Sequence, residues 1–316
     1  MKQLIAIFAI TICFASCTKE VKIDIPGYED ELVIDGQIET DQPPIVILSK
    51  TKNIYAATDL DAYLNGFLSG AIVTVSDGTT TVQLDEICSD NLPAGTEALA
   101  AELFGIPESE LANYHICAYT TFNTAIWGQV GKTYDLTVVY DGKTYTSTTQ
   151  ILQPTALDSV YWKQDSDAPE GFGFSWATLS DPPNQYDAYM WEVKRLDLGA
   201  NGLPKDNAFK NTYSPVFDDQ FINGKTFDFA YENPLNYPES IPDEQRGYYG
   251  IGDTVVIKLS KMDLQVFEFM EKKYMQLQTS GNPFASPTAI PTNIVGGAQG
   301  VWAGYSPHFD TLICVP

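Results

Sequence analysis

The chain has 316 residues, with 18 basic against 41 acidic side chains and a formal charge of −23. That balance excludes a nucleic-acid binder, whose phosphate contacts need clustered Lys and Arg, and equally excludes simple adsorption to an anionic lipid surface. Hydrophobic residues are 44% of the chain and aromatics 12%, enough for one large or two medium domains with real cores.

The first 16 residues have the parts of a secretory signal. Lys2 carries the charge, Leu4 to Phe14 form an apolar run too short to span a bilayer, and the small residues Ala15 and Ser16 lead straight into Cys17. An ordinary signal ends in A-x-A; this one resembles a bacterial lipobox, with Phe14 where Leu is commoner. The resemblance implies cleavage before Cys17, diacylglycerol on its sulfur and acylation of the new amine. Each buried methylene contributes about 0.8 kcal/mol, so two or three chains hold a protein to a membrane almost permanently. Cys13 would leave with the signal, and residues 17–24 would form a tether. The plainer alternative is a secretory signal followed by a coincidental cysteine.

From residue 25 the text turns to short β-strands. "LVIDGQI" and "PIVILSKT" alternate β-branched with polar residues, and "AIVTVSDGTTTVQLDEI" turns at Asp77-Gly78. Asp141-Gly142 joins Tyr134–Tyr140 to Lys143–Ile151 and suits the positive backbone angles of a tight hairpin. With no βαβ rhythm and no phosphate loop, residues 25–153 read as an immunoglobulin-like β-sandwich. Cys88 and Cys117 flank a helical insertion near 89–116 and can pair in an oxidising compartment, closing a loop worth on the order of 3 kcal/mol. Two buried thiols, or a pair involving Cys314, are the alternatives.

Pro154 marks the junction to a second β-rich domain, residues 154–316. Aromatic strands run through "SVYWKQ", "GFGFSWATL" and "AYMWEVKRL"; the stretch 199–250 reads as loops with one hairpin at Asn223-Gly224. After "TVVIKLS" comes the one long helix, near 261–279. Ser260 is its expected N-cap and Asp263 its third position, with Leu264, Phe267, Met270, Tyr274 and Leu277 as a core-facing stripe. The fold class expected is therefore mainly β.

Taken together, "LVIDGQI", "GAIVTVSDG", "GQVGKTYDLTVVYDGKTYTS", "ALDSVYW" and the C-terminal "GNPFASPTAIPTNIVGGAQGVWAGYS" resemble, in that order, a Bacteroidetes-type family of outer-membrane lipoproteins grouped as domain of unknown function 4249. Members are typically encoded beside TonB-dependent receptors. The resemblance implies a lipoprotein anchored to the outer membrane, facing the cell surface or the periplasm, that serves such a receptor as an accessory or ligand-binding subunit. It carries over no catalytic residue.

The residues themselves offer little chemistry. Two histidines, His115 and His308, lie in no H-E-x-x-H pattern, so a zinc site has almost no support and no metal or cofactor is expected. "GFSWA" approaches a nucleophile elbow at Ser175, with His308 and Asp310 elsewhere, but lacks the second glycine and the strand-to-helix turn. Asp218-Asp219 is an adjacent carboxylate pair of the sort that 41 acids produce by chance. Aromatics that could stack on sugars or anchor a protein interface are Tyr55, Tyr63, Phe67, Trp127, Tyr231, Tyr237, Tyr248 and Tyr249. The glycine-flanked pair Tyr248 and Tyr249 is the expected exposed binding surface. The expectation is a non-enzymatic binding subunit. The alternatives are a structural or adhesive surface protein and, further off, a surface hydrolase using Ser175 or a carboxylate.

Overall fold

A computed structural model describes residues 30–51, 66–104, 106–199, 202–234, 241–279 and 289–316. Cys17, Tyr55, Tyr63, Tyr237 and the segment Asn282-Pro283-Phe284 lie outside the described residues. The first half supplies β1 (Leu32–Glu39), β2 (Ile45–Lys50), β3 (Ile72–Ser76), β4 (Thr81–Gln83), β5 (Asp85–Cys88), β6 (Cys117–Thr120), β7 (Thr133–Tyr140) and β8 (Lys143–Gln150). The second supplies β9 (Ser159–Gln164), β10 (Phe172–Ser180), β11 (Ala188–Arg195), β12 (Lys210–Asp218), β13 (Thr226–Tyr231), β14 (Tyr249–Gly250) and β15 (Thr254–Met262). The last strand, β16 (Gln299–Ile313), belongs to both halves.

That double membership comes from its length. With 15 residues, β16 is long enough to serve two partners in succession. Gln299 to Tyr305 pair in parallel with Val33 to Glu39 of β1, and Ser306 to Ile313 pair antiparallel with β15. One sheet of eight strands results, ordered β12-β11-β15-β16-β1-β2-β6-β5. Alternation then sends side chains to opposite faces. On one face Trp302 joins Ile34, Ile38, Val46 and Leu48 in a core closed by a second sheet, β4-β3-β7-β8. Further along the chain Leu312 joins Val255, Ile257, Trp191 and Tyr189 in another core, closed by β9, β10, β13 and β14.

Glycine is what the parallel seam requires at two positions. A Cβ on Gly300, whose φ is 108°, would lie 2.0 Å from the Ile34 carbonyl oxygen. A Cβ on Gly36 would lie 2.7 Å from the Trp302 ring, which packs over that strand. The Trp302 indole N–H donates to the Tyr134 carbonyl at 2.9 Å, and the Asn293 side chain bonds both the N–H and the C=O of Trp302. The division expected at residue 153 therefore describes the order of the chain but not its sheets, because residues 293–305 complete the first sandwich. One ion pair crosses the same junction: Lys258 on β15 reaches Glu39 on β1 at 2.6 Å, while also pairing with Glu192 on the neighbouring β11 at 3.2 Å.

Two helical elements cover the other face of the shared sheet. Helix α1 (Glu97–Phe104) lies in the expected insertion and packs Ala100 and Phe104 with Leu111 and Ile116 beside Ile45 and Ile47. Helix α2 (Leu264–Thr279) lays Val266, Phe267 and Met270 over Met190, Val301, Ala303 and Tyr305. Leu264 and Leu277, expected in that stripe, are exposed, since the buried arc is centred on Val266 and Phe267. The N-cap is Asp263, whose carboxylate accepts from the Val266 N–H at 2.9 Å. Ser260 cannot serve because β15 runs on through Met262, paired on both sides.

Asn223-Gly224 also differs from expectation. It does form a turn, with Gly224 at φ 69°, but β12 and β13 enter different sheets, so the turn is an arch between layers and not a hairpin. Asp141-Gly142 does close the β7–β8 hairpin, with φ of 49° and 71°.

Asp206 is a buried, heavily bonded acid of the second half. Its carboxylate accepts from the Arg195 N–H and both arms of the guanidinium at 2.8 to 3.0 Å, and from Lys210 at 2.7 Å. Burial pushes this carboxyl up, but the Arg195 and Lys210 bonds outweigh it and hold the group below the usual carboxylate range. A carboxyl lowered by folding stabilises the fold above its unfolded value near 3.9, and that contribution is lost as pH falls through the folded value. We predict that Asp206→Asn costs about 3 kcal/mol at neutral pH and that its deficit shrinks on acidification below about pH 4. Urea melts of both proteins across this range measure the difference.

Candidate functional site: an outward aromatic sheet face

Strand β10 carries its large residues on the side opposite to the core. Phe172, Phe174 and Trp176 are half-exposed on the outer face, while Gly173, Ser175, Ala177 and Leu179 are buried beneath. Small inner residues are required because the facing sheet fills that space with Trp191 and Tyr189, both fully buried, and because Tyr249 enters from β14. Gly173 is the extreme case: a Cβ there would lie 2.1 Å from the Lys163 carbonyl oxygen of β9.

The register with β9 sets Tyr161 opposite Trp176 and Lys163 opposite Phe174. The Tyr161 and Trp176 rings stack with centroids 6.2 Å apart and planes 17° apart. The Lys163 ammonium lies 5.1 Å from the Trp176 ring, and Tyr248 packs against Phe174 with centroids 5.0 Å apart. Cation–π contact of this kind holds the lysine over the indole at about 0.5–1 kcal/mol in an exposed setting. Burial, and then the Asp228 charge, raise the Tyr161 phenol above its ordinary value, so it stays a neutral hydroxyl at any physiological pH.

Beside the aromatics the same face turns polar. Thr178 donates to Asp228 at 2.7 Å, Ser159 donates to Thr178 at 3.0 Å, and Ser180 bonds Asp158 and Thr226 at 2.7 Å. The result is an apolar row next to a ladder of hydroxyls and carboxylates, mounted on a sheet whose other face is core. On such a surface, apolar ring faces offer contact area and the polar ladder offers directional bonds.

The other residues singled out in the sequence are positioned differently. Tyr249 is fully buried in the second core, its phenol pushed far above the ordinary value by desolvation, so it is no binding residue. Its partner Tyr248 is half-buried and belongs to the aromatic face. Tyr231 packs on Trp191 with centroids 5.2 Å apart, and Phe67 packs on the helical insertion. Ser175 is fully buried and donates to the Tyr231 carbonyl at 3.0 Å, a structural hydroxyl inside a strand. His308 and Asp310 pair with each other at 3.1 Å. In the pair Asp218-Asp219, Asp219 is buried and accepts from Asn223 at 2.7 Å, holding the arch between layers.

Cys88 and Cys117 are disulfide-bonded, opposite each other across β5 and β6, and Cys314 is the free cysteine among the described residues. Burial and nearby carboxylates push the Cys314 thiol up to about 12, so it is inert. Among the described residues, Cys88, His115 and Cys117 form a cluster with donor atoms within 4.8 Å of one another. With the two sulfurs bonded to each other, neither offers a thiolate to an ion. No helix among the described residues is long and apolar enough to cross a membrane.

Residues 18–308 match the family described as domain of unknown function (DUF4249), and the chain belongs to that family. No curated protein shows a significant match. Among solved structures, similarity reaches a DUF4785 family protein from Legionella pneumophila subsp. pneumophila str. Philadelphia 1, at 9% identity and a TM-score of 0.22. That alignment covers 73% of this chain and 52% of the other, so the chain spans about half the length of that protein, and a score this low assigns no shared fold.

We predict unequal stability losses for the two adjacent tyrosines. Tyr249→Ala should cost about 3–5 kcal/mol in urea unfolding, as for other large buried aromatics. Tyr248→Ala and Trp176→Ala should each cost less than about 1.5 kcal/mol, because their rings are partly solvated already.

Proposed function

We propose that this protein is a lipid-anchored, non-enzymatic lipoprotein of the outer membrane that serves a TonB-dependent receptor as an accessory or ligand-binding subunit, with the β9–β10 aromatic face as its contact surface. The observation that carries the reading is that face: Tyr161, Trp176, Phe174 and Tyr248 present partly solvated rings from a rigid sheet. Half-exposed rings beside a polar ladder lose little conformational freedom when covered, which favours binding over a flexible loop.

The anchor fits the same reading. Cys17 follows a lipobox-like run, and the stretch from Cys17 to Asp30 reaches at most about 45 Å when extended. Confinement at that distance raises the effective concentration of a modest interface by orders of magnitude, so a weak contact suffices. A net charge of −23 keeps the body off the anionic headgroups and leaves the lipid as its hold on the membrane.

The test is a mild-detergent pull-down of tagged protein from outer membranes, comparing wild type, Cys17→Ala and Trp176→Ala. We expect near-stoichiometric recovery of a TonB-dependent receptor with the wild type, and a loss of at least about tenfold with either variant. Recovery of the wild-type protein alone, or of its own oligomers, would contradict the reading and favour an adhesive surface protein.

A further inference from the structure

The disulfide has a neighbour that a purely structural bridge does not require. Cys88 and Cys117 face each other on β5 and β6, and β5 is an edge strand of the shared sheet. Just past the pair, the Ser89 N–H donates to the Ile116 carbonyl at 2.8 Å, the Ile116 N–H donates to the Ser89 hydroxyl at 3.0 Å, and that hydroxyl donates to the Tyr114 carbonyl. These bonds lock the two chain segments that carry Asp90 and His115. Asp90 then holds His115 Nδ1 at 2.9 Å, and the other ring nitrogen, Nε2, lies 3.5 Å from Cys117 Sγ. The imidazole thus bridges the carboxylate and the sulfur.

The two cysteines are also unequal. Cys117 is 1% exposed, whereas Cys88 is partly open to solvent. An incoming thiolate therefore meets Cys88, and the sulfur that must leave is the one beside the imidazole. The His115 side chain is 59% exposed, so solvent and a thiol both reach the site.

We propose that the Cys88–Cys117 disulfide is a site of thiol–disulfide exchange, in which Cys88 is attacked, Cys117 leaves, and His115 receives the leaving sulfur. A thiolate forms a bond to Cys88 Sγ; the Cys88–Cys117 bond breaks with its electron pair on Cys117 Sγ. The protonated His115 ring then gives its Nε2 proton to that sulfur or pairs with it as a thiolate. The products are a mixed disulfide on Cys88 and a thiol at Cys117. No oxidant is needed. A better leaving thiol leaves faster, and a neighbouring imidazolium makes it one. Asp90 is a positioning residue: it fixes which ring nitrogen faces the sulfur. The helical insertion remains held through Ser89 and by Phe104 and Leu111 in its own core, so exchange does not require it to unfold.

The experiment is to incubate the oxidised full chain with excess reduced glutathione, quench by alkylation, and locate the adduct by peptide mass spectrometry for wild type, His115→Gln and Asp90→Asn. We expect glutathione on Cys88. It should form about tenfold faster in the wild type than in His115→Gln at the same glutathione thiolate concentration. Asp90→Asn should fall between the two. Because His115 and Asp90 lie at the surface, unchanged urea melts of the oxidised variants will show that the fold is intact. Equal rates for wild type and His115→Gln would overturn the proposal. So would an adduct on Cys117, or a wild-type disulfide that glutathione leaves untouched.

Discussion

Everything else in this molecule depends on the parallel pairing of β1 with the first half of β16. Parallel neighbours demand a long return of the chain, and here almost the whole sequence is that return: β1 starts at Leu32 and its partner at Gln299. Without it the first sandwich lacks Trp302, Ile294 and Ala298 from its core, and the second loses the strand that bonds β15. Residues contributed from opposite ends of the chain therefore make the fold one cooperative object. The close approach at Gly36 and Gly300 is the local condition for that pairing, since any side chain there meets Trp302 or the Ile34 backbone.

Much of the local structure was legible from alternation and turn chemistry. β9, β10 and β11 lie close to the strands expected from aromatic alternation, and the Asp141-Gly142 hairpin forms with positive φ at both residues. What the pattern could not convey was which sheet each strand joins. Asn223-Gly224 makes the same local signal as Asp141-Gly142, yet its flanks part into separate layers, because pairing partners are chosen by distant strands and not by the turn. Ser260 failed as a cap for the same reason: tertiary pairing with β11 and β16 prolonged β15 past it. The outward aromatic face was hidden by a rule that usually serves well. Aromatics alternating with small residues suggest aromatics inside, but here Trp191, Tyr189 and Tyr249 from elsewhere had already filled the core, and Trp176 and Phe174 were left outside. Tyr249 itself, flanked by glycines, looked like a loop tip and is a core residue.

The functional reading follows from the same architecture. A sheet held on its inner side by a dense aromatic core is a stiff support, and its outer face keeps Tyr161, Trp176, Phe174 and Tyr248 in fixed positions beside the Thr178–Asp228 ladder. The helical insertion stands at the opposite end of the shared sheet, past β2 and β6, with Asp90, His115 and the disulfide at its base.

The measurement that bears most directly on this account is equilibrium urea unfolding of residues 25–153 expressed alone. The shared-strand architecture predicts no cooperative transition for this fragment, because β1 is left with an unpaired edge and the Trp302 site is empty. A sharp two-state transition, with a slope appropriate to a folded domain of that size, would show that the first sandwich stands by itself and would contradict the claim that β16 makes the two halves one fold.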